Sequence, residues 1–354
     1  MILTNREPDK NYVRLPAEWE SQDAVLLSWP HEATDWNYML DWVQACFADI
    51  VVAALKFAKV IIVAPDPEVP RRQLLQKGIT HDVIYISAPT NDTWIRDFGP
   101  ITIETNGIKQ SLDFCFNGWG LKFAANLDNL VNVHLYSTGL FCTEYINKRG
   151  FVLEGGSVDS DGAGTILTTT ECLLSPNRNA QMDKMEIDGY LRRTFGADHI
   201  LWLDNGSLQG DDTDSHIDTL ARLAPNDTIV YVGAPGSESD PHFDPLTKMA
   251  QNLKMFRTRN GLPYRLVELP FPDPVFDDEG NRLPATYANY LPLNGAVLLP
   301  VYGQPLNDEK ARNVLKSVFP DKEIIGIDCR ALIQQHGSLH CVTMQIPTGT
   351  LKTV

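Results

Sequence analysis

The chain has 354 residues, of which 43% are hydrophobic and 21% charged, a composition typical of a globular protein. Its formal net charge is −15 and it has no basic stripe, which disfavours nucleic acids and anionic membranes as partners. An acidic surface favours a cationic small molecule instead. No apolar run approaches the roughly 20 residues of a membrane-spanning helix.

The N-terminal segment and the cysteines both bear on location. Residues 1–8 lack the basic start and apolar core of an export signal. Without an export signal, scattered cysteines indicate reduced thiols and a cytoplasmic protein. No pair of cysteines has the C-x-x-C spacing of a structural zinc site, so we expect no metal and no other cofactor. The cysteines are Cys46, Cys115, Cys142, Cys172, Cys329 and Cys341.

Short strands outnumber helices in the predicted elements, which indicates an α/β protein. Proline and glycine are spread evenly, so we expect one domain over residues 1–354. The predicted strands are Ala24–Trp29, Lys59–Ala64, Asp82–Ser87, Pro100–Glu104, Phe151–Val158, Thr165–Thr169, Thr228–Val232, Ala296–Val301, Glu323–Ile327 and Val342–Ile346. The predicted helices are Trp36–Ala58, Ala180–Phe195, Pro245–Arg259 and Asp308–Phe319.

A weak internal repeat runs through the chain. Three times, an apolar strand leads through a polar loop to a strand that bears unusual polar residues. Asp97 and Asp218 are 121 residues apart, and Asp218 and Cys341 are 123 apart. This spacing predicts tandem or radial repetition, with site residues gathered from several units. The strands that lead into these loops are Asp82–Ile86, His199–Leu203 and Glu323–Ile327.

The segment His216-Ile217-Asp218 offers an imidazole and a carboxylate. On a strand, alternate side chains point the same way, so His216 and Asp218 are predicted to share a face. The alternative is a hydrogen-bonded structural histidine. Upstream acidic residues are predicted as turn formers and helix caps, although one of them could meet a distal positive charge on a ligand. These residues are Asp211, Asp212 and Asp214.

Three further segments combine carboxylates and aromatic rings. Asp97 could accept two hydrogen bonds from a planar cation on which Trp94 stacks; the alternative is a buried ionic network. Glu154 precedes two glycines in an apolar stretch, where an unpaired carboxylate is costly, although a hairpin would also explain the glycines. Trp119 belongs to an aromatic loop that either covers a site or forms a simple turn.

Cys341 is the candidate nucleophile. It follows Gly337-Ser338 at the start of a predicted strand, where its sulfur could face a cleft. Most buried cysteines are inert, and a thiolate becomes reactive only with a stabilising neighbour. His340 is predicted to face the opposite side of the strand in a structural role, so His216 is the better acid–base partner.

These groups suit one substrate chemistry. Two aspartates could bind the N–H edges of a cationic carbon bonded to three nitrogens. A thiolate could attack that carbon while a histidine protonates departing ammonia. Water would then hydrolyse the covalent thiouronium and leave a urea-type product.

Taken in order, the quoted segments resemble the agmatine deiminase and bacterial-type peptidylarginine deiminase family of the guanidino-group-modifying (pentein) superfamily. The likeness extends from Leu15–Glu20 to Cys341. It implies a five-bladed α/β propeller of repeated ββαβ units around a pseudo-fivefold axis, with the site on that axis. It also implies a cationic guanidino small-molecule substrate.

The resemblance implies a role for each site residue. Cys341 would be the nucleophile, His216 the general acid and base, and Asp97 and Asp218 the guanidinium clamps. Glu154 would hydrogen-bond the guanidinium and tune His216. The aromatic pocket residues would be Trp94 and Trp119.

One segment departs from the family pattern. Family members typically have Gly-Gly-Asn-Ile-His-Cys at the nucleophile, whereas this chain has His336-Gly337-Ser338-Leu339-His340-Cys341. The change falls on the loop that shapes the pocket for the substrate's tail. We predict agmatine as substrate, with N-carbamoylputrescine and ammonia as products.

Three alternatives stay open at the sequence level. The first is deimination of arginine within peptides. The second is a metal-dependent hydrolase that uses His216, Asp218, His340 and Asp211. The third is a non-catalytic guanidinium-binding protein. The sequence also allows a homo-oligomer.

Overall fold

The computed structural model describes residues 12–352, so the segment considered for an export signal lies outside it. The chain has an α/β fold. Its strands are β1 (Val13–Arg14), β2 (Gln22–Ser28), β3 (Lys59–Ala64), β4 (Val83–Ser87), β5 (Ile101–Thr105), β6 (Ile108–Cys115), β7 (Glu144–Val152), β8 (Val158–Ser160), β9 (Thr165–Thr169), β10 (His199–Leu203), β11 (Ala221–Ala224), β12 (Thr228–Val232), β13 (Arg265–Leu269), β14 (Leu291–Pro292), β15 (Ala296–Val301), β16 (Glu323–Asp328) and β17 (Met344–Pro347).

Helices connect many of these strands. They are α1 (Leu40–Ala54), α2 (Glu68–Gln76), α3 (Ile95–Phe98), α4 (Gly118–Leu121), α5 (Val131–Ser137), α6 (Thr170–Leu173), α7 (Lys184–Phe195), α8 (Phe243–Met255) and α9 (Pro305–Val318). Short 3-10 helices also occur, at Asn37–Met39, Asp128–Leu130, Gly155–Ser157, Ile217–Thr219 and Leu332–Gln335.

Within residues 12–352 the strands form five separate sheets, and each sheet repeats one connection pattern. The orders are β1-β5-β6-β7, β10-β9-β8, β11-β12-β13, β14-β15-β16 and β17-β2-β3-β4. Each contains an antiparallel pair and then a parallel strand, for example β8–β9 and β9–β10. A helix lies between the two parallel strands of each unit, as α7 does between β9 and β10. Parallel neighbours require such a crossover.

The fifth sheet is completed by strands that are far apart in sequence. β17 pairs antiparallel with β2, so that Met344 lies opposite Leu26. The carboxylate of Asp23 accepts hydrogen bonds from three consecutive backbone N–H groups just beyond β17. These N–H groups belong to Gly349, Thr350 and Leu351, at 3.0, 3.0 and 2.9 Å.

Burial explains which elements the sequence predicts well. Five of the six residues of β3 are buried, as expected of a central strand covered on both faces. The buried hydrophobic side chains form one cluster with members from all five sheets. Helix α7 begins at Lys184 rather than at Ala180, because Asp183 and Glu186 form a capping box that sets its start. It ends before Gly196, which has φ 66°.

Several predicted elements were wrong near the polar segments. The strand predicted at Phe151–Val158 is interrupted after Val152 by the 3-10 turn Gly155–Ser157. Asp97 lies in a helical turn, and His216 and Asp218 lie at a 3-10 turn rather than on a strand. The last strand begins at Met344, so Cys341 precedes it by a turn and does not belong to it.

Predicted helix α1 also begins later than expected, at Leu40 after a 3-10 turn, and ends at Ala54. Across the part of the chain that the structure describes, no helix has the length and apolar character needed to cross a membrane.

Candidate active site

One residue from each sheet's unit contributes to a common site. Each lies two to four residues before the first strand of its unit's antiparallel pair, where the backbone turns. The five residues, preceding β5, β8, β11, β14 and β17 in turn, are Asp97, Glu154, Asp218, Asn289 and Cys341. Four of them were predicted from the sequence, and Asn289 was not. The internal repeat could have indicated Asn289, because it predicts an equivalent position before the first strand of every unit.

Gly156 shows how closely the polar groups converge. A Cβ atom at this position would lie 2.7 Å from His216 Nδ1, 2.9 Å from Asp97 Oδ1 and 3.1 Å from Asp218 Oδ2. Only glycine leaves that space free. The structure therefore brings together His216, Asp97 and Asp218, although not through the shared strand face that the sequence predicted.

Three buried polar atoms in this space have no hydrogen-bond partner within the described residues. They are both ring nitrogens of His216 and Oδ1 of Asp218. His216 and Asp218 are each only 1% exposed. Because buried polar groups are almost always paired, this space suits a ligand that donates N–H groups to Asp218 Oδ1 and to the unprotonated ring nitrogen of His216.

Cys341 lies beside this space and is buried. Its Sγ is 3.6 Å from Asp218 Oδ2, and the Asn289 side-chain amide donates to the sulfur at 3.2 Å. Burial raises the pKa of the Cys341 thiol well above its usual value, and the carboxylates of Asp218 and Asp97 raise it further. The raised pKa favours the protonated thiol.

His216 is held neutral by the same environment. Burial lowers its pKa to about 3, and the opposing effect of the Asp218 carboxylate is too small to offset it. A neutral imidazole can act as a proton acceptor. The Cys341 thiol and the His216 imidazole are thus both uncharged.

His340 connects Asp218 to an ionic network behind the site. Its Nδ1 is 2.7 Å from Asp218 Oδ2, and its Nε2 is 2.8 and 2.9 Å from the two oxygens of Glu18. Both ring nitrogens face carboxylates, as in a doubly protonated ring that donates twice. Glu18 also pairs with Arg96 at 3.1 Å and with Arg222.

The two aspartates differ in charge as a result. Burial alone would raise the pKa of Asp218, but the hydrogen bond and charge of His340 outweigh it, and the pKa lies below its usual value. Burial raises the pKa of Asp97 well above its usual value, and the charge of Asp218 adds to this effect. Asp97 accepts hydrogen bonds from the Trp119 indole N–H and the Gly156 backbone N–H, both at 2.9 Å.

Glu154 is fully buried and lies against Arg178. The Arg178 Nε–H donates to both carboxylate oxygens, at 2.9 and 3.0 Å. Arg178 also binds Asp214 at 2.6 Å. Burial raises the pKa of Glu154 although Arg178 opposes this effect. Glu154 therefore lies at the edge of the site, where it forms an ion pair with Arg178.

Two aromatic rings line the pocket. A Cβ at Gly337 would lie 2.2 Å from the ring of Trp94, so the chain passes directly over that ring. Trp119 lines the pocket from α4, in which four consecutive residues have φ between 53° and 85°. Such left-handed backbone is unfavourable for Trp119 and Leu121, and strain of this kind is typical of functional sites.

The open end of the pocket is acidic. Asp35 lines it with an exposed side chain, and Asp92 and Asp212 line it with half-buried ones. Burial raises the pKa of Asp92 to about 7, and the charge of Asp35 contributes. This end of the pocket is therefore suited to a cation.

The donor set proposed for a metal-dependent hydrolase does not converge. The ring nitrogens of His340 face Asp218 and Glu18, and the carboxylate of Asp211 accepts hydrogen bonds from Thr213 and Ser215. In residues 12–352 the potential ligand atoms that do lie within 4.8 Å of one another belong to Glu154, Cys172 and His216. Arg178 occupies both oxygens of Glu154, which disfavours a cation there.

The site thus combines a thiol, an imidazole and two carboxylates around a space for a planar cation, as in hydrolases that form a covalent intermediate on cysteine. Residues 14–347 match the family described as Porphyromonas-type peptidyl-arginine deiminase. The chain belongs to this family, and the predicted resemblance is confirmed.

Individual relatives agree with this assignment. The agmatine deiminase of Pseudomonas putida is 32% identical, over 98% of this chain and 99% of its own. A C. jejuni agmatine deiminase structure with substrate bound has 39% identity and a TM-score of 0.88, covering 98% of this chain and 100% of its own. A Porphyromonas gingivalis structure, named provisionally as an arginine deiminase, has 48% identity and a TM-score of 0.91, covering 96% and 100%.

Proposed function

We propose that this protein hydrolyses the guanidino group of agmatine, giving N-carbamoylputrescine and ammonia. The observation that carries the proposal is the set of unpartnered buried atoms on His216 and Asp218, beside the sulfur of Cys341. A guanidinium supplies N–H donors for Asp218 Oδ1 and for the unprotonated ring nitrogen of His216. Relatives named as agmatine deiminases match the chain over nearly its full length.

The first half of the reaction starts from an uncharged Cys341 thiol and an uncharged His216 imidazole. A bound guanidinium favours the thiolate, so Cys341 transfers its proton to His216 and attacks the central carbon. Asp97 and Asp218 hold the N–H edges of the cation in line with the sulfur. The carbon–nitrogen bond then breaks, and His216 returns the proton to the departing nitrogen, which leaves as ammonia.

The second half consumes the thiouronium intermediate. Water attacks the same carbon while His216 accepts a proton from it. The carbon–sulfur bond breaks as the C=O bond forms, the second proton of the attacking water is lost to solvent, and His216 reprotonates the Cys341 thiolate. The product carries an uncharged urea group, which no longer pairs with the carboxylates and can leave. Glu154 acts in this scheme by holding Arg178 away from the cation.

The acidic open end supports agmatine over free arginine. Asp35, Asp92 and Asp212 would attract the ammonium of agmatine and repel the α-carboxylate of arginine. Peptidyl-arginine remains a second candidate, because the family description names it and the 48% identical P. gingivalis structure is named for arginine. A peptide would present a neutral backbone at this end.

An ammonia-release assay on agmatine, arginine and an end-blocked arginine peptide tests the proposal. We expect release from agmatine at least tenfold faster than from either alternative. Cys341→Ala should abolish release while agmatine still binds by calorimetry. Release from the peptide alone would replace agmatine by peptidyl-arginine, and full activity of Cys341→Ala would remove the nucleophile assignment.

We further propose that the five sheets surround a common axis as the blades of a propeller, within one domain. Support comes from the repeated connection pattern and from the five turn residues that meet at one site. A cytoplasmic location is supported by the six cysteines, all of which are free thiols, as is usual in reducing compartments.

A further inference from the structure

His336 stands at the open end of the pocket, directly after the 3-10 helix Leu332–Gln335. Its backbone has φ 68°, a left-handed conformation that side chains other than glycine and asparagine rarely adopt. The imidazole therefore stands at a position where the backbone itself favours glycine.

Hydrogen bonding defines the tautomer of His336. Its Nδ1 is 2.7 Å from the carbonyl oxygen of Gly210. A carbonyl oxygen can only accept, so Nδ1 carries the proton in the neutral ring. The lone pair on Nε2 is then available to accept a hydrogen bond.

That lone pair faces another acceptor. Nε2 of His336 is 3.9 Å from Oδ2 of Asp212, too far for a hydrogen bond between them. We propose that His336 and Asp212 together bind the distal ammonium of the substrate, which can donate one N–H to each. This inference rests on the proposed function and makes His336 a specificity-determining residue for the substrate's tail.

Several other charged groups surround His336 and Asp212. Lys122 is engaged by the Asp212 carbonyl oxygen and by Asp214, at 2.6 and 2.7 Å. The carboxylate of Asp211 accepts from Thr213 and Ser215, and the remaining acidic side chains along this wall belong to Asp35 and Asp92.

Calorimetric binding of agmatine and n-butylguanidine to Cys341→Ala tests the inference, because the second compound lacks the ammonium and binding does not depend on turnover. Agmatine should bind more tightly than n-butylguanidine. Adding His336→Gly should reduce the ratio of the two affinities about tenfold. The glycine suits the left-handed backbone.

The matched control is His81→Gly, since His81 is exposed outside the pocket and should leave the ratio unchanged. An unchanged ratio in His336→Gly would overturn the inference. Failure of the proposed function would give a different result. The wild-type protein would then release no ammonia from agmatine, whatever the ratio of the affinities for agmatine and n-butylguanidine.

Discussion

At the scale of single residues, Asp97 and Asp218 face the same space but differ in ionisation. His340 keeps Asp218 charged, whereas burial and the neighbouring charge favour a neutral Asp97. A bound guanidinium favours the ionised form of Asp97, because an opposite charge stabilises the carboxylate. Ligand binding is therefore coupled to release of a proton from Asp97.

This coupling predicts a measurable proton release. Agmatine binding to Cys341→Ala at pH 7 should liberate up to one proton, and affinity should rise with pH because Asp97 is more readily ionised. Calorimetry in buffers of different ionisation enthalpy measures the released proton. Asp97→Asn should abolish it. A binding enthalpy that is independent of the buffer would contradict the coupling.

Gly156 provides a second prediction at this scale. Gly156→Ala places a Cβ within 3.1 Å of three polar groups and into the space for the guanidinium, so kcat/KM should fall at least 100-fold. Gly150→Ala is the control, since its Cβ would meet nothing within 4 Å. Steady-state kinetics and thermal unfolding of both variants separate this effect from loss of fold. Comparable activity in the two variants would contradict it.

At the scale of elements, the regular parts of the chain were predictable and the turns were not. Buried runs rich in β-branched residues, such as Lys59–Ala64 and Thr228–Val232, were predicted with the bounds that the structure shows. The segment around Gly155 was wrong, because its local propensity favours a strand while tertiary packing imposes a 3-10 turn.

The residues of the site were likewise predictable only in part. Unusual carboxylates, histidines and a cysteine in polar loops identified Asp97, His216, Asp218 and Cys341 as a group that the structure brings together. Asn289 was missed because an asparagine in a loop is ordinary, and its contact with the Cys341 sulfur is purely tertiary. Likewise, the sequence gives no sign that Arg178 pairs with Glu154.

The left-handed turn α4 yields a prediction on stability. Leu121 is 74% exposed and has φ 69°, so its conformational cost is offset by few contacts. Leu121→Asn should raise the free energy of unfolding by about 1 kcal/mol, since asparagine tolerates this conformation. Leu75→Asn, at an exposed position in right-handed α2, should lower it by a few tenths. Urea unfolding compares them. Equal destabilisation would show that the turn stores no strain.

At the scale of the whole molecule, the site depends on every sheet. Each of the five units contributes one turn residue, and Cys341 is positioned only when β17 pairs with β2. Catalytic geometry is therefore a property of the assembled fold. Loosening the β17–β2 sheet should displace Cys341, the proposed nucleophile, even though no pocket residue changes.

Asp23 tests this dependence. Asp23→Ala removes the acceptor for three backbone N–H groups beyond β17 and should cost about 2 kcal/mol of unfolding free energy. The same change should lower kcat. Asp49→Ala removes an exposed ion pair with Lys77 and should cost under about 1 kcal/mol without affecting kcat. Denaturant titration and kinetics check both, and unaffected stability in Asp23→Ala would count against the role of this contact.

The pairing of β17 with β2 also bears on synthesis. A ribosome makes β2 early and its antiparallel neighbour much later, so one edge of the early strand stays open during most of translation. Open edges invite pairing with other chains. During this interval the growing chain lacks Cys341, the proposed nucleophile, and exposes an unpaired strand edge. Chaperone protection during the interval would favour the yield of folded protein in cells.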